Sequence, residues 1–233
     1  ISFYKMNDNA TINISNNNFS NLNWDTSNAI RVSNYGSNVA TINLDGNTYS
    51  DHGTESGQSY AGLLLFQKPE NHTDDFTKLT VNISNFSTSS TSQLFYVYDN
   101  TGIITTNQPV IKGDSSIAKF CSARIGDTYY ASLAKAVADA STANPDTIKL
   151  LKDTTERLTL NNGKDITLDL DGHTLSYANQ TVSVRHGKLT VNGPGTIKEN
   201  SPYLGAILIK GSTNQEDTNY SVVNVNGDVT LSG

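Results

Sequence analysis

Three five-residue segments in the first half of this chain nearly superimpose, and that repeat restricts what the chain can fold into more than any other feature. They are Thr11-Ile12-Asn13-Ile14-Ser15, Thr41-Ile42-Asn43-Leu44-Asp45 and Thr80-Val81-Asn82-Ile83-Ser84. Each alternates polar and apolar residues, the period of a half-buried strand. The next residue is Asn16, Gly46 or Asn85, the types that most readily take a positive φ, so each strand should end at the same sharp bend. An aromatic follows each time: Phe19, Tyr49 and Phe86. A second strand type follows the first, in Ala29-Ile30-Arg31-Val32, Leu63-Leu64-Leu65-Phe66 and Leu94-Phe95-Tyr96-Val97. Successive repeats start 30 and then 39 residues apart. A constant strand core with unequal spacing places insertions in loops, as in solenoids whose repeats pack only on their neighbours.

The second half follows the same grammar. Ile166-Thr167-Leu168-Asp169, Leu189-Thr190-Val191-Asn192 and Val229-Thr230-Leu231-Ser232 are expected to form one column, with the longer second interval absorbed in the polar stretch 211–219. Tyr203 to Lys210 echoes Tyr60 to Gln67. One helix is expected near 131–142. Leu133, Ala136, Val137 and Ala140 give it an apolar face, Ser132 caps it, and Pro145 stops its continuation. Such a helix would cover an otherwise open end of stacked strands. The expected architecture is all-β: a right-handed parallel β-helix (solenoid) in two parts, 1–118 and 119–233, with one short capping helix. An antiparallel sandwich also has short, evenly spaced strands, but does not require neighbouring strands to share turn residues in register. The chain starts and stops inside patterned sequence, as expected of a piece of a longer polypeptide.

Composition narrows the function. The net charge is −6, which argues against nucleic acid or an anionic membrane surface as a partner. No apolar run approaches the ~20 residues that span a bilayer. Charged residues make up only 16 %, while thirteen of the first fifty residues are Asn. Asn and Thr suit sheets with many tight turns. Cys121 is the only cysteine, so no intrachain disulfide forms and no cysteine metal site is expected. It reads as a small buried hydrophobe.

β-Solenoids can carry glycan-cleaving sites, which need converging carboxylates with a metal or basic residue beside them. The best candidates are Asp169 and Asp171, with Arg185, His186 and Lys188 about one repeat later. A solvated strand face with complementary charges is the favoured reading of all five. Asp45-Gly46-Asn47 resembles part of a calcium loop but lacks its other ligands, and reads as a turn. His52, His72, His173 and His186 show no metal-ligand spacing. Asn13-Ile14-Ser15 and Asn82-Ile83-Ser84 match the N-glycosylation triplet but sit inside the strand pattern. Trp24, Tyr35, Tyr49, Tyr60, Tyr96 and Tyr98 could form a carbohydrate-stacking platform, although packing over turns is favoured. No catalytic residue, cofactor or metal ligand is assigned.

Two stretches carry a resemblance. Ile125-Gly126-Asp127-Thr128-Tyr129-Tyr130-Ala131-Ser132-Leu133, continuing through Thr147-Ile148-Lys149-Leu150 to Asp169-Leu170-Asp171-Gly172-His173-Thr174-Leu175, resembles the helix-capped start of pectate-lyase-like right-handed β-helix domains. Asn28 to Tyr35, Tyr60 to Gln67 and Gln93 to Tyr98 together resemble a module of tailed-phage structural proteins, of the head-fibre or capsid-decoration type. The resemblance implies a non-enzymatic component of a virion surface, extracellular and commonly homotrimeric. It also implies other virion proteins as partners, and a host-surface glycan as a candidate ligand. A bacterial cell-surface adhesin and a polysaccharide lyase or hydrolase are the alternatives.

Overall fold

The computed structural model describes residues 1–20, 28–33, 38–49, 62–67, 76–88, 93–99, 102–103, 108–201, 205–211 and 220–233. It is an all-β protein dominated by parallel sheets, in two compact units, Ile1–Phe120 and Cys121–Gly233.

In the first unit three strand types recur in fixed order along the chain. One column holds Ser2–Tyr4, Asn28–Ser33, Gly62–Gln67 and Gln93–Asp99, all parallel. The next holds Ala10–Ser15, Ala40–Asp45, Leu79–Ser84 and Val110–Gly113. The third holds Asn18–Phe19, Thr48–Tyr49 and Ser87–Thr88. Ile12 lies on Ile42 and Ile42 on Val81; Asn13 lies on Asn43 and Asn43 on Asn82. In the first column Ile30, Leu64 and Phe95 share one level. The antiparallel sandwich is therefore ruled out for these strands.

The stack has a simple energetic logic. Ile42, Leu79 and Val81 are fully buried, each worth ~1.5–3 kcal/mol relative to exposure. The outward asparagines form an amide ladder: Asn43 Nδ2 donates to Asn13 Oδ1 at 2.7 Å, and Asn82 Nδ2 to Asn43 Oδ1 at 2.8 Å. Each such bond nets only ~1 kcal/mol. Apolar burial thus dominates stability, while the ladder enforces register: a one-residue slip would turn every asparagine into the core. The bends are as expected, with positive φ at Asn16, Gly46 and Asn85. The aromatic column is not. Phe19 lies on Tyr49, but Tyr49 lies on Thr88. Phe86 sits two residues earlier, at the level of Asn47, where it packs edge-on against Phe120 at 6.0 Å. Asp114 accepts from Asn85 N, and the 3-10 turn Ser115–Phe120 buries Ile117 and Phe120 at this end of the unit.

The second unit opens with a hairpin, Ala123–Ile125 against Thr128–Tyr130, turning at Gly126. The helix Leu133–Asp139 follows, shorter than the expected 131–142. Ser132 caps it, and Leu133, Ala136, Val137 and Ala140 join the core. Ala140 already leaves the helical region at ψ 141, so the helix ends before Pro145 can act. Both its ends are held by side chains remote in sequence. Glu156 accepts from Leu133 N and Ala134 N, and Lys164 Nζ donates to the carbonyls of Val137 and Ala138. A carboxylate at the N-terminus and an ammonium at the C-terminus both oppose the helix dipole.

Three columns again recur in fixed order. The first runs Leu158–Leu160, Val182–Val184, Ile207–Ile209. The second runs Asp146–Lys149, Ile166–Asp169, Leu189–Asn192, Val223–Asn226. The third runs Thr154–Thr155, Thr174–Tyr177, Gly195–Glu199, Val229–Ser232. Ile166 lies on Leu189 as expected, but the next member is Val223, not Val229. Val229 and Leu231 belong to the third column, on Gly195 and Ile197. A Val-x-Leu alternation fits either column, so the pattern alone misassigned it. Cys121 is fully buried, and burial pushes its thiol up to about 12 against a weaker opposing pull from Lys152. It should resist maleimide at pH 8 in the native state and react only on unfolding, so mass spectrometry of labelled protein along a urea series should track denaturation.

Candidate functional site

The long strands Leu158–Asp169 and Val182–Asn192 do not pair evenly. Register shifts fall between Leu160, Asn161 and Asp165. The chain kinks there, and kinks of this kind re-aim side chains. The kink decides where the candidate residues go. Lys188 lies on Asp165 and His186 on Asn161, whereas Asp169 lies on Asn192 and Lys149. Lys188 is thus four residues, ~13 Å at strand rise, from the level of Asp169. Arg185, His186 and Lys188 do not assemble with Asp169 and Asp171. Asp171 sits in the bend at φ 47, its backbone N–H donating to Asp169 Oδ1 at 3.1 Å and its carboxylate pairing with Lys149 at 2.9 Å. Asp171 is thus charge-paired at the surface, but with Lys149 and not with Arg185, His186 or Lys188. His173 lies 3.6 Å from Asp153.

What the kink does assemble is a small polar–aromatic corner. Tyr220 Oη donates to Asp165 Oδ1 at 3.1 Å, and its ring meets His186 edge-to-face with centroids 6.4 Å apart. The bond to Asp165 raises the Tyr220 pKa. Lys188 lies beside Asp165 in register. Two glycines make the approach possible. A Cβ at Gly163 would stand 3.0 Å from the His186 ring, and one at Gly187 would stand 2.4 Å from the Lys164 carbonyl oxygen. The corner offers an acceptor, a cation and an exposed ring, groups that bind polar ligands.

Several of the remaining candidates have structural employment, and others fall outside the described residues. Asp45 accepts from Ser84 Oγ at 2.7 Å and Asn85 Nδ2 at 2.9 Å. Asn47 is buried, accepts from Asn17 and donates to the Ile14 carbonyl. The calcium-like triplet is therefore a cross-linked turn. Among the described residues no group of three or more His, Cys, Asp or Glu could hold a metal ion, and no helix is long and apolar enough to cross a membrane. Tyr49 is 2 % exposed and belongs to the core, not to a carbohydrate platform. Burial raises its pKa well above the usual tyrosine range. Tyr96 and Tyr98 lie on the strand Gln93–Asp99, while Trp24, Tyr35, Tyr60, His52 and His72 lie outside the described residues. Asn13 and Asn82, from the glycosylation triplets, serve the amide ladder.

Sequence reasoning missed the carboxylate that organises the turn at Asn179 and Gln180. Glu199 is 3 % exposed and accepts from the backbone N–H groups of Asn179, Gln180 and Ser201. It thereby holds the left-handed pair Asn179 and Gln180. Burial acts to raise its pKa, but those N–H donors outweigh it and leave it lowered. Asp45 is lowered by its bonds to Ser84 and Asn85, and Asp114 by Ser116 and Asn85. For all three, the unfolded chain binds protons more readily than the native one. Their stabilisation is complete above the ordinary values of 3.8 for Asp and 4.5 for Glu. It is lost as pH falls through those values toward the native ones. Urea midpoints should therefore hold level from pH 7 to about pH 5.5 and fall below it. Glu199→Gln should lower the midpoint at pH 7 and shrink the acid-dependent fall; an unchanged acid slope would show that Glu199 plays no such part.

No family model, curated protein or solved structure matches this chain.

Proposed function

We propose that the chain is a right-handed parallel β-helix in two parts and serves, without catalysis, as a structural component of a phage virion surface: a head fibre, capsid decoration or similar appendage. The observation that supports it most is the residue-on-residue superposition of Ile12, Ile42 and Val81 beneath a continuous Asn13–Asn43–Asn82 ladder. A stack of this kind directs its backbone hydrogen bonds along one axis and resists bending and local opening. The fixed cyclic order of three strand types favours a helical path. The strong preference of parallel crossovers for one hand makes that path right-handed. The resemblance of the two stretches to β-helix and tailed-phage proteins supplies the setting. The expected partners are further copies, in a homotrimer, other virion proteins and a host-surface glycan; the Asp165–Lys188–Tyr220 corner is the described surface best suited to the last.

The separation of Asp169 and Asp171 from Arg185, His186 and Lys188 favours the non-catalytic reading over a lyase or hydrolase. Mass spectrometry of purified particles of the encoding phage should find this chain at a fixed stoichiometry. Its absence from the particles would overturn the virion role. Product release from a glycan, abolished by Asp169→Ala or Arg185→Ala, would overturn the non-catalytic reading.

A further inference from the structure

The outward side of the middle column in the first unit carries two uncharged files over three successive levels. Thr11, Thr41 and Thr80 form one file, and Asn13, Asn43 and Asn82 form the next. Thr11 and Asn13 are exposed, and the other four are half-buried. The middle column of the second unit is charged on its outward side, where Lys149, Asp165, Asp169 and Lys188 alternate with buried Ile148, Ile166, Leu168 and Leu189.

The amide ladder leaves matched hydrogen-bonding capacity. A primary amide has two N–H donors and an oxygen with two lone pairs. Asn43 uses one N–H on Asn13 and one lone pair on Asn82. One donor and one acceptor remain on Asn43, and Asn13 and Asn82 keep at least as much. The ladder bonds also hold the amide planes in place before any contact is made, which lowers the ordering cost of binding.

We propose that three copies pack these faces around a common three-fold axis parallel to the stack. This names the contact of the homotrimer proposed above and rests on that reading. At each level the spare N–H of one asparagine donates to the spare lone pair of its counterpart in the next copy, and three such bonds close a ring of amides. Symmetry favours further copies of the chain as the occupant. A residue beside the axis meets two copies of itself, so a carboxylate or an ammonium there repels its own kind. An amide, being donor and acceptor at once, complements itself. Levels repeat every ~4.8 Å in each copy, so a ring at Asn43 brings rings at Asn13 and Asn82 with it. Buried asparagines fix register and partner number in the same way between packed helices, and the rotation closes the assembly at three chains. The charged neighbours do not obstruct the axis. Asp45 lies at the bend, its carboxylate tied to Ser84 and Asn85. Lys112, next to Asn82 on the fourth level, is exposed and can turn its ammonium into solvent.

Asn13→Asp separates the ring from the fold. In the ladder Asn13 only accepts, from Asn43. An aspartate there keeps that bond, removes the ring's donor and brings three carboxylates together. Sedimentation equilibrium of the full chain at pH 7 should give three times the chain mass for the unaltered protein and a threefold lower mass for Asn13→Asp. Thr41→Asp, in the neighbouring file, should give the same fall. Thr167→Asp adds the same charge on the outward side of the second unit and should leave the mass unchanged. Circular dichroism and urea midpoints of the three variants should stay native-like. A trimer that survives Asn13→Asp and Thr41→Asp, or one that Thr167→Asp dissociates equally, would overturn this face and leave the homotrimer standing. A single-chain mass for the unaltered protein would overturn the homotrimer itself.

Discussion

Leu168→Ala should cost ~4–5 kcal/mol of stability, toward the upper end for a buried leucine. Leu168 is fully buried and lies between Ile148 and Val191, which are also fully buried. Parallel ladders on both sides hold the backbone levels at a fixed spacing, so the cavity cannot collapse. Leu189→Ala, one apolar position away on the next repeat, should cost ~3 kcal/mol. Its outer neighbour Val223 is only partly buried and can relax into the space. Thr167→Ala, on the outward side of the same strand, should stay within ~0.5 kcal/mol. Urea denaturation of the three variants checks the order. Equal losses for Leu168 and Leu189 would mean that the stack is not graded from interior to edge.

Gly187→Val should cost at least ~3 kcal/mol, for two reasons that add. The backbone at Gly187 has φ 126, a conformation L residues rarely take, with a strain of ~1–3 kcal/mol. A Cβ there would also stand 2.4 Å from the Lys164 carbonyl oxygen and 3.1 Å from Leu160 Cδ2. The oxygen belongs to the main chain of the kink that places Lys188 on Asp165, so it cannot swing aside. The expected result is a large fall in the urea midpoint, together with loss of the Tyr220–Asp165 contact, read as a Tyr220 pKa returning toward its ordinary value of 10.0. Gly126→Ala is the contrast. Its φ is 54, but nothing lies within 4 Å of the added Cβ, so only the modest left-handed strain of ~1 kcal/mol applies.

These two sites show what the sequence could disclose. Ile12, Ile42 and Val81 were legible because an apolar residue flanked by Thr and Asn recurs before a positive-φ bend, and parallel stacking sets like on like. The helix face was legible because Leu133, Ala136, Val137 and Ala140 follow the helical period. Val223 was not, because Val-x-Val and Val-x-Leu look alike and the columns differ only in the bends between them. Nor was the separation of Lys188 from Asp169, which depends on a register shift near Asn161; Gly163 and Gly187 mark a bend there, but not by how many residues the pairing slips. Glu156, Lys164 and Glu199 were invisible for another reason. Each satisfies backbone groups about twenty or more residues away, and a single charged residue in a polar segment carries no sign of the N–H or C=O it will meet.

The superposition of repeats is tested most directly by NMR contacts in methyl-labelled, otherwise deuterated protein with amide protons restored. Contacts should join the Ile12, Ile42 and Val81 methyls in sequence, and likewise Ile166, Leu189 and Val223, with amide contacts of the parallel kind between the same strands. Antiparallel contacts between those strands, or Leu189 touching Val229 in place of Val223, would contradict the account.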